Sequence, residues 1–234
     1  MTRLTVCMAV AALLVGCAGT ETRPIGPGTV KITPLGSHDG ELCAIDRALI
    51  FEDPDGTRIL YDAGFTVRGA DDPRLGKIDA VLLSHVHHDH LGLAHQPEAN
   101  AGVCGKPEFS VRDAPNSNTA NIAAGKKARV LVGSDMHTFL AAKVTAAGGD
   151  AKQVQLVRFG AQATVGKVSV ATVPASHTNA VIATHVNEVA TKGGKLVPGS
   201  KTEQFMKRVG IPTHIPLSGK TMAFDGNGMC TSGC

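Results

Sequence analysis

Hydrophobic positions along the chain fall into short runs divided by turn-forming residues. Val30 to Gly36 (VKITPLG) predicts a strand that ends in a turn. Ala48 to Glu52 (ALIFE) and Thr57 to Gly64 (TRILYDAG) flank the tetrapeptide DPDG. That pattern predicts a β-hairpin, because Pro presets one turn dihedral and Gly takes a positive φ without strain. Ile78 to Ser84 (IDAVLLS) is apolar with little alternation, the mark of a strand buried on both faces. Leu91 to Glu98 is expected to start a short helix. Gly102 to Gly125, rich in Pro, Asn, Ser and Gly, is expected to be a long loop with one strand at FSVRD.

Ala128 to Gly133 (ARVLVG) predicts another strand. Asp135 to Ala147 predicts a helix capped by Ser134 or Asp135 and stopped by Gly148 and Gly149. Val154 to Gly160 and Lys167 to Ala175 predict strands around a Gly-containing turn, and Ala180 to Val186 (AVIATHV) a further apolar strand. Lys201 to Gly210 has the spacing of a short amphipathic helix closed by Gly, and Thr213 to Phe224 holds one or two strands. Strands and helices alternate throughout, so the fold class is layered α/β.

The first residues follow a different pattern. Arg3 precedes an uncharged apolar run from Leu4 to Val15, then Gly16 and Cys17, and polar residues begin at Thr20. A charged start, an apolar middle and small residues at the cut make a secretory signal, expected here over residues 1–16. The run falls short of the ~20 apolar residues a spanning helix needs. LVGC, Leu14 to Cys17, resembles a bacterial lipobox, which implies cleavage before Cys17, lipid on its thiol and a membrane-anchored lipoprotein of the periplasm or cell envelope. Residues 17–28 then form a linker, and the folded domain spans 29–234.

Export changes how the cysteines are read. Cys7 lies in the signal and Cys17 at the lipobox, leaving Cys43, Cys104, Cys230 and Cys234. Four cysteines in an oxidising compartment invite two bridges, for which three connectivities exist. A C-x-x-x-C tail can close locally, which favours Cys230–Cys234 together with Cys43–Cys104. Free thiols or a metal site are the alternatives, although a four-cysteine zinc site usually draws on two close pairs. Composition adds little more. With 23 Lys and Arg against 20 Asp and Glu and a net charge of +3, the chain lacks the basic clustering of a nucleic-acid binder. With 43% hydrophobic residues but 3% aromatics, its core rests on aliphatic side chains.

The chemistry concentrates behind the buried strand. SHVHHDH, Ser84 to His90, carries four of the ten histidines. Imidazole and carboxylate are standard ligands for zinc and related divalent ions, and ligands one residue apart can converge from a turn at a strand end. His85, His87, Asp89 and His90 are the candidates, and the strand before them supplies the rigidity such a site needs. His88 carries no role in this scheme.

SHVHHDH after IDAVLL resembles the metal motif of the metallo-β-lactamase-fold hydrolases, and YDAG, Tyr61 to Gly64, resembles the strand whose Asp supports that loop. The resemblance covers about Val30 to Phe224. It implies an αββα sandwich with metals at one edge, and within the superfamily it looks closest to the lactonase-like branch related to ascorbate-6-phosphate lactonase. Residue by residue, it implies that His85, His87 and His177 (in ASHT) hold one metal, that Asp89, His90 and His185 (in ATHVNE) hold a second, and that Asp62 supports the loop from behind. The implied cofactor is zinc, as one or two ions, with other divalent metals such as manganese as alternatives.

The implied reaction is hydrolysis of a small-molecule ester, lactone, amide or phosphoester by hydroxide from a water whose pKa the metal lowers to ~7, with Asp89 orienting it. No G-x-S-x-G elbow competes with this. His38 lies near a strand end close to this chemistry, whereas His95, His137 and His214 are expected to be structural or exposed.

The sequence departs from the family pattern at one place. The family carries a bridging carboxylate in a turn between its last two histidines. Only Thr178 to Thr184 separate His177 from His185, and none of these residues is acidic. The sandwich is therefore expected to be incomplete in its C-terminal half. Asp135 and Asp225 are the substitutes to consider. The alternative function is a catalytically impaired, membrane-tethered metal-binding lipoprotein of the same fold.

Overall fold

A computed structural model describes residues 28–133, 136–172 and 181–234. Its frame is one mixed sheet. The strands are β1 (Val30–Pro34), β2 (Leu49–Glu52), β3 (Arg58–Tyr61), β4 (Ala80–Leu83), β5 (Arg129–Val132) and β6 (Val154–Leu156). After them come the hairpin strands β7 (Gln162–Val165) and β8 (Val168–Ala171), then β9 (Met222–Phe224) and β10 (Cys230–Ser232). The helices are α1 (His88–Leu91), α2 (Asn118–Lys126), α3 (Met136–Ala146) and α4 (Lys201–Val209).

The main sheet has eight strands in the order β6-β5-β4-β3-β2-β1-β9-β10. β3 to β6 run parallel to one another, and the remaining pairs are antiparallel. The DPDG turn joins β2 to β3 as expected, with Leu49 opposite Tyr61 and Glu52 opposite Arg58. Successive side chains on a strand point to opposite faces, and both faces of this sheet are covered. Leu60, Val81, Leu83, Val130 and Val132 face the helices, where they meet Leu91, Ile122, Leu140 and Val144. Ile59, Ala80 and Leu131 face the other way and pack under Ala163 and Val165 of the β7–β8 hairpin. Two-sided burial is the reason AVLL, Ala80 to Leu83, reads as an unbroken apolar run. Each fully buried Leu or Val there contributes roughly 1.5–3 kcal/mol.

The α/β class is as expected, with a large mixed sheet between helices and a second layer. Among the described residues that second layer is small. It is the two-stranded hairpin β7–β8 and a two-residue parallel pair, Val181–Ile182 with Thr213–His214. Ala180 to Val186 is therefore not the long apolar strand its composition suggests, because it has a partner over only two residues. Two further expectations change. The helix begins inside the histidine run, as α1 at residues 88–91, and Ala94–His95 instead pairs with Val111–Arg112. The stretch 102–125 contains the expected strand within FSVRD, at Val111–Arg112, and besides it a short strand pair and most of the nine-residue α2, capped by Ser117, whose side chain accepts from the Ala120 N–H.

Both bridges are present. Cys43–Cys104 spans a Cα–Cα distance of 5.0 Å across a sequence separation of 61, and Cys230–Cys234 spans 6.4 Å. Residues 1–27, with the expected signal and Cys17, lie outside the described residues, as do Asp135 and His177. Among the described residues no helix is long and apolar enough to cross a membrane.

Candidate metal centre

The parallel strands β3, β4 and β5 end on one edge of the sheet, where ligand sites of open α/β folds lie. Asp62 follows β3 and its N–H bonds to the Leu82 carbonyl at 3.0 Å, so the chain bends across the end of β4. Its carboxylate is fully buried. One oxygen accepts from the Ser84 N–H at 2.8 Å, and the other takes the Ser84 hydroxyl and His90 Nδ1, each at 2.7 Å. A buried carboxylate on one imidazole nitrogen fixes the ring's orientation and leaves its other nitrogen free to ligate.

His90 reaches Asp62 because α1 is pressed against the YDAG turn. Gly64 N–H donates to the His90 carbonyl at 3.0 Å. A Cβ on Gly64 would lie 2.6 Å from the Asp89 carbonyl oxygen, and one on Gly92, which ends α1 at φ +76°, would lie 2.4 Å from the Gly64 oxygen. Neither contact leaves room for a side chain, so both glycines are needed for this approach. The N-terminus of α2 locks the arrangement. Asn118 N–H donates to the Gly92 carbonyl at 2.7 Å, and its side-chain amide donates to the carbonyls of Gly64 and Val67.

The consequence is a set of converging imidazoles. One ring nitrogen from each of His85, His90 and His185 lies within 4.8 Å of the other two. His90 is 3% exposed, yet its Nε2 has no hydrogen-bond partner among the described residues. Its nearest carboxylate oxygen is Asp89 Oδ2, at 3.6 Å. An orphaned buried nitrogen carries a penalty of a few kcal/mol unless something binds it. A cation at that point removes the penalty. Burial, with the neighbouring His90 and His87 rings, holds the His85 imidazole below its ordinary pKa. That favours the neutral form, the one that ligates. Three nitrogen donors with an open side fit zinc or a related borderline ion.

The grouping differs from the pairing of ligands implied by the family resemblance. His85, His90 and His185 come together across the two expected sets. His87 stands beside His85, with ring centroids 4.6 Å apart, but is exposed and outside the tight cluster. His185 sits on an exposed loop at φ 59°. Asp225 lies elsewhere, where its carboxylate accepts the N–H groups of Asn227 and Met229 within its own turn. His38 is exposed and outside the cluster, and His95 is held by Asp113 at 2.6 Å.

Asp89 has a partner that sequence reasoning missed. Arg47, whose side chain is 1% exposed, donates through Nε and Nη2 to Asp89 Oδ2 at 3.0 and 2.9 Å. The same guanidinium donates to the carbonyls of Asp46 and Val186 and to the side chain of Asn187. One buried cation thus ties the metal loop to the segment that carries His185. Burial pushes the Asp89 carboxyl up, but the Arg47 hydrogen bonds and charge outweigh it and hold the group below its ordinary value. No local pattern marks Arg47. The only hint is that a charged residue stands between Ile45 and an apolar run.

Two cavities flank His185. One, of about 300 Å³, is lined by Ile45, His87, His88, Asp89, His185 and Asn187. The other, of about 390 Å³, shares His185 and Asn187 and is walled by Val181, Ala183, Val186 and Phe205.

Residues 48–97 match the sequence model of the metallo-beta-lactamase superfamily. The matched stretch runs from the start of the β2–β3 hairpin through Asp62, β4 and the histidine loop to α1 and just beyond. A metallo-beta-lactamase fold protein, YhfI from Bacillus subtilis, aligns with a TM-score of 0.43 at 15% identity, over 84% of this chain and 99% of that one. A search of curated proteins finds no match. The sequence match falls on the part of the chain that builds the histidine cluster.

Proposed function

We propose that the chain is a metal-dependent hydrolase of a small-molecule ester, lactone, amide or phosphoester. The observation that carries this is the buried His90 ring, with Nδ1 on Asp62 and Nε2 unpartnered beside His85 and His185. The superfamily matched over residues 48–97, whose members are mostly hydrolases, supports the same class. His85, His90 and His185 would hold the ion, zinc being the best fit, with His87 and Asp89 at its margin and His177 as a further candidate ligand. When bound, such an ion supplies Lewis acidity toward a carbonyl or phosphoryl oxygen and acidifies water.

The chain's own residues do the rest. Asp62 fixes the His90 tautomer. Arg47 keeps Asp89 ionised and fixes its direction. A carboxylate with a depressed pKa is a poor store for a proton at neutral pH, so Asp89 acts by orienting a water rather than by retaining its proton. Apolar groups of the substrate fit beside Val181, Ala183 and Phe205. Among the candidate substrates, an ester or lactone agrees best with this wall and with the resemblance to the lactonase-like branch.

A panel of chromogenic esters, lactones and phosphodiesters tests the proposal, with and without a chelator and in His90→Ala. Turnover that chelation and His90→Ala both abolish supports it. Turnover indifferent to both contradicts it.

A second reading is a catalytically impaired, membrane-tethered metal-binding lipoprotein. It is favoured by the absence of an acidic residue between His177 and His185, and among the described residues only Asp62 and Asp89 bring carboxylates to the cluster. Bound metal without turnover on the whole panel would select it. The tether, through lipid on Cys17 in the cell envelope, rests on the LVGC pattern. A mass shift on the mature chain that Cys17→Ser removes is the expected result.

A further inference from the structure

The C-terminal tail contains a second group of soft and borderline donors that the hydrolase site does not use. We infer that His214, Cys230 and Cys234 form a redox-gated site for a thiophilic d¹⁰ cation, zinc(II) or copper(I), closed when the two cysteines are bridged and open when they are reduced.

One ligand atom from each of these residues lies within 4.8 Å of the other two. The placement follows from the sheet. Cys230 starts β10, the edge strand, and faces Phe224 of β9 in the register. The His214 ring meets Phe224 edge-on at 5.3 Å, which brings the imidazole to the same strand end. The Asp225 carboxylate holds the turn before Cys230 through the N–H groups of Asn227 and Met229. Cys230 is thus held by a paired strand and a capped turn, and His214 by its own strand pair and its contact with Phe224. Two thiolates and an imidazole are the ligands that select zinc or copper(I) over hard cations.

The bridge that closes the site is accessible, because Cys234 is exposed, whereas Cys43 of the other bridge is fully buried. Thiol–disulfide exchange needs access to a sulfur, so a dithiol reaches the tail bridge first. The step balances. The Cys230–Cys234 bond takes two electrons and two protons from the dithiol, which is oxidised to its own disulfide. Metal binding then releases the two thiol protons to solvent.

The experiment uses the whole chain, reduced anaerobically with a dithiol that is then removed, and titrated with cobalt(II) as a reporter for zinc. Thiolate-to-cobalt charge-transfer absorption is the readout, since the cluster of His85, His90 and His185 has no sulfur and cannot produce it. The expected result is a band that saturates at one equivalent in reduced protein and is absent from oxidised protein. Cys230→Ser and the exposed Cys234→Ser should each abolish it, with circular dichroism reporting that both variants fold. His214→Ala should weaken cobalt binding by at least the ~10-fold that loss of even a supporting group produces. No band in reduced protein, a band that survives either serine variant, or unchanged affinity in His214→Ala would each overturn the assignment.

Discussion

The two halves of the metal centre are built differently. Asp62, Ser84 and His90 lie on strand ends and a short helix clamped by Gly64, Gly92 and Asn118, and both Asp62 and His90 are buried. His185 comes from an exposed loop whose strand pairs over two residues only. The first half is a rigid holder with its nitrogen aimed in advance. The second closes the site from outside and shares walls with both cavities. Affinity for the ion should reside in the first half, and access and substrate selection in the second. Arg47 joins them, since it binds Asp89 on one side and Val186 and Asn187 on the other.

The Cys43–Cys104 bridge closes a loop with a sequence separation of 61 that contains Asp62, His85 and His90. Removing it as the double alanine variant should lower unfolding free energy by about 4 kcal/mol, read from denaturant midpoints, by loop-closure entropy alone. Arg47→Ala should come next, at about 3 kcal/mol, because it leaves Asp89 unpaired and strips a donor from the buried Val186 carbonyl. A loss below 1 kcal/mol would mean that Arg47 does not join the halves.

Asp62→Asn should weaken metal binding by ~10–100-fold in a competition titration while the chain still folds. The smallest effect belongs to the outer half. His185→Ala should change stability by no more than ~0.5 kcal/mol, as exposed positions do, while lowering metal affinity. If His185→Ala destabilised the fold as much as Arg47→Ala, the contrast between holder and closing loop would fail.

Much of the inner half was legible in the sequence because its signals are local. An unbroken apolar run marked β4, DPDG marked the hairpin, and the histidine spacing marked the loop. What escaped depended on tertiary contact. α2 has the helix-poor start Asn118-Thr119, and its helical state comes from the Ser117 cap and from burial of Ala120, Ile122 and Ala123. Arg47 meets Asp89 across 42 residues, a contact that no periodicity encodes. The run Ala180 to Val186 looked like a strand by composition, but strand length depends on a partner, and its partner offers two residues. Spacing alone marked the histidines as candidates without deciding which converge, since that depends on α1 turning His90 inward while His87, just before it, stays outside.

Metal content of the purified chain, by elemental analysis beside His90→Ala, tests the central claim most directly. The account predicts about one tightly held divalent ion per chain, lost in a His90→Ala variant that keeps its circular dichroism spectrum. A folded wild-type chain without metal, or an ion that His90→Ala retains, would contradict it.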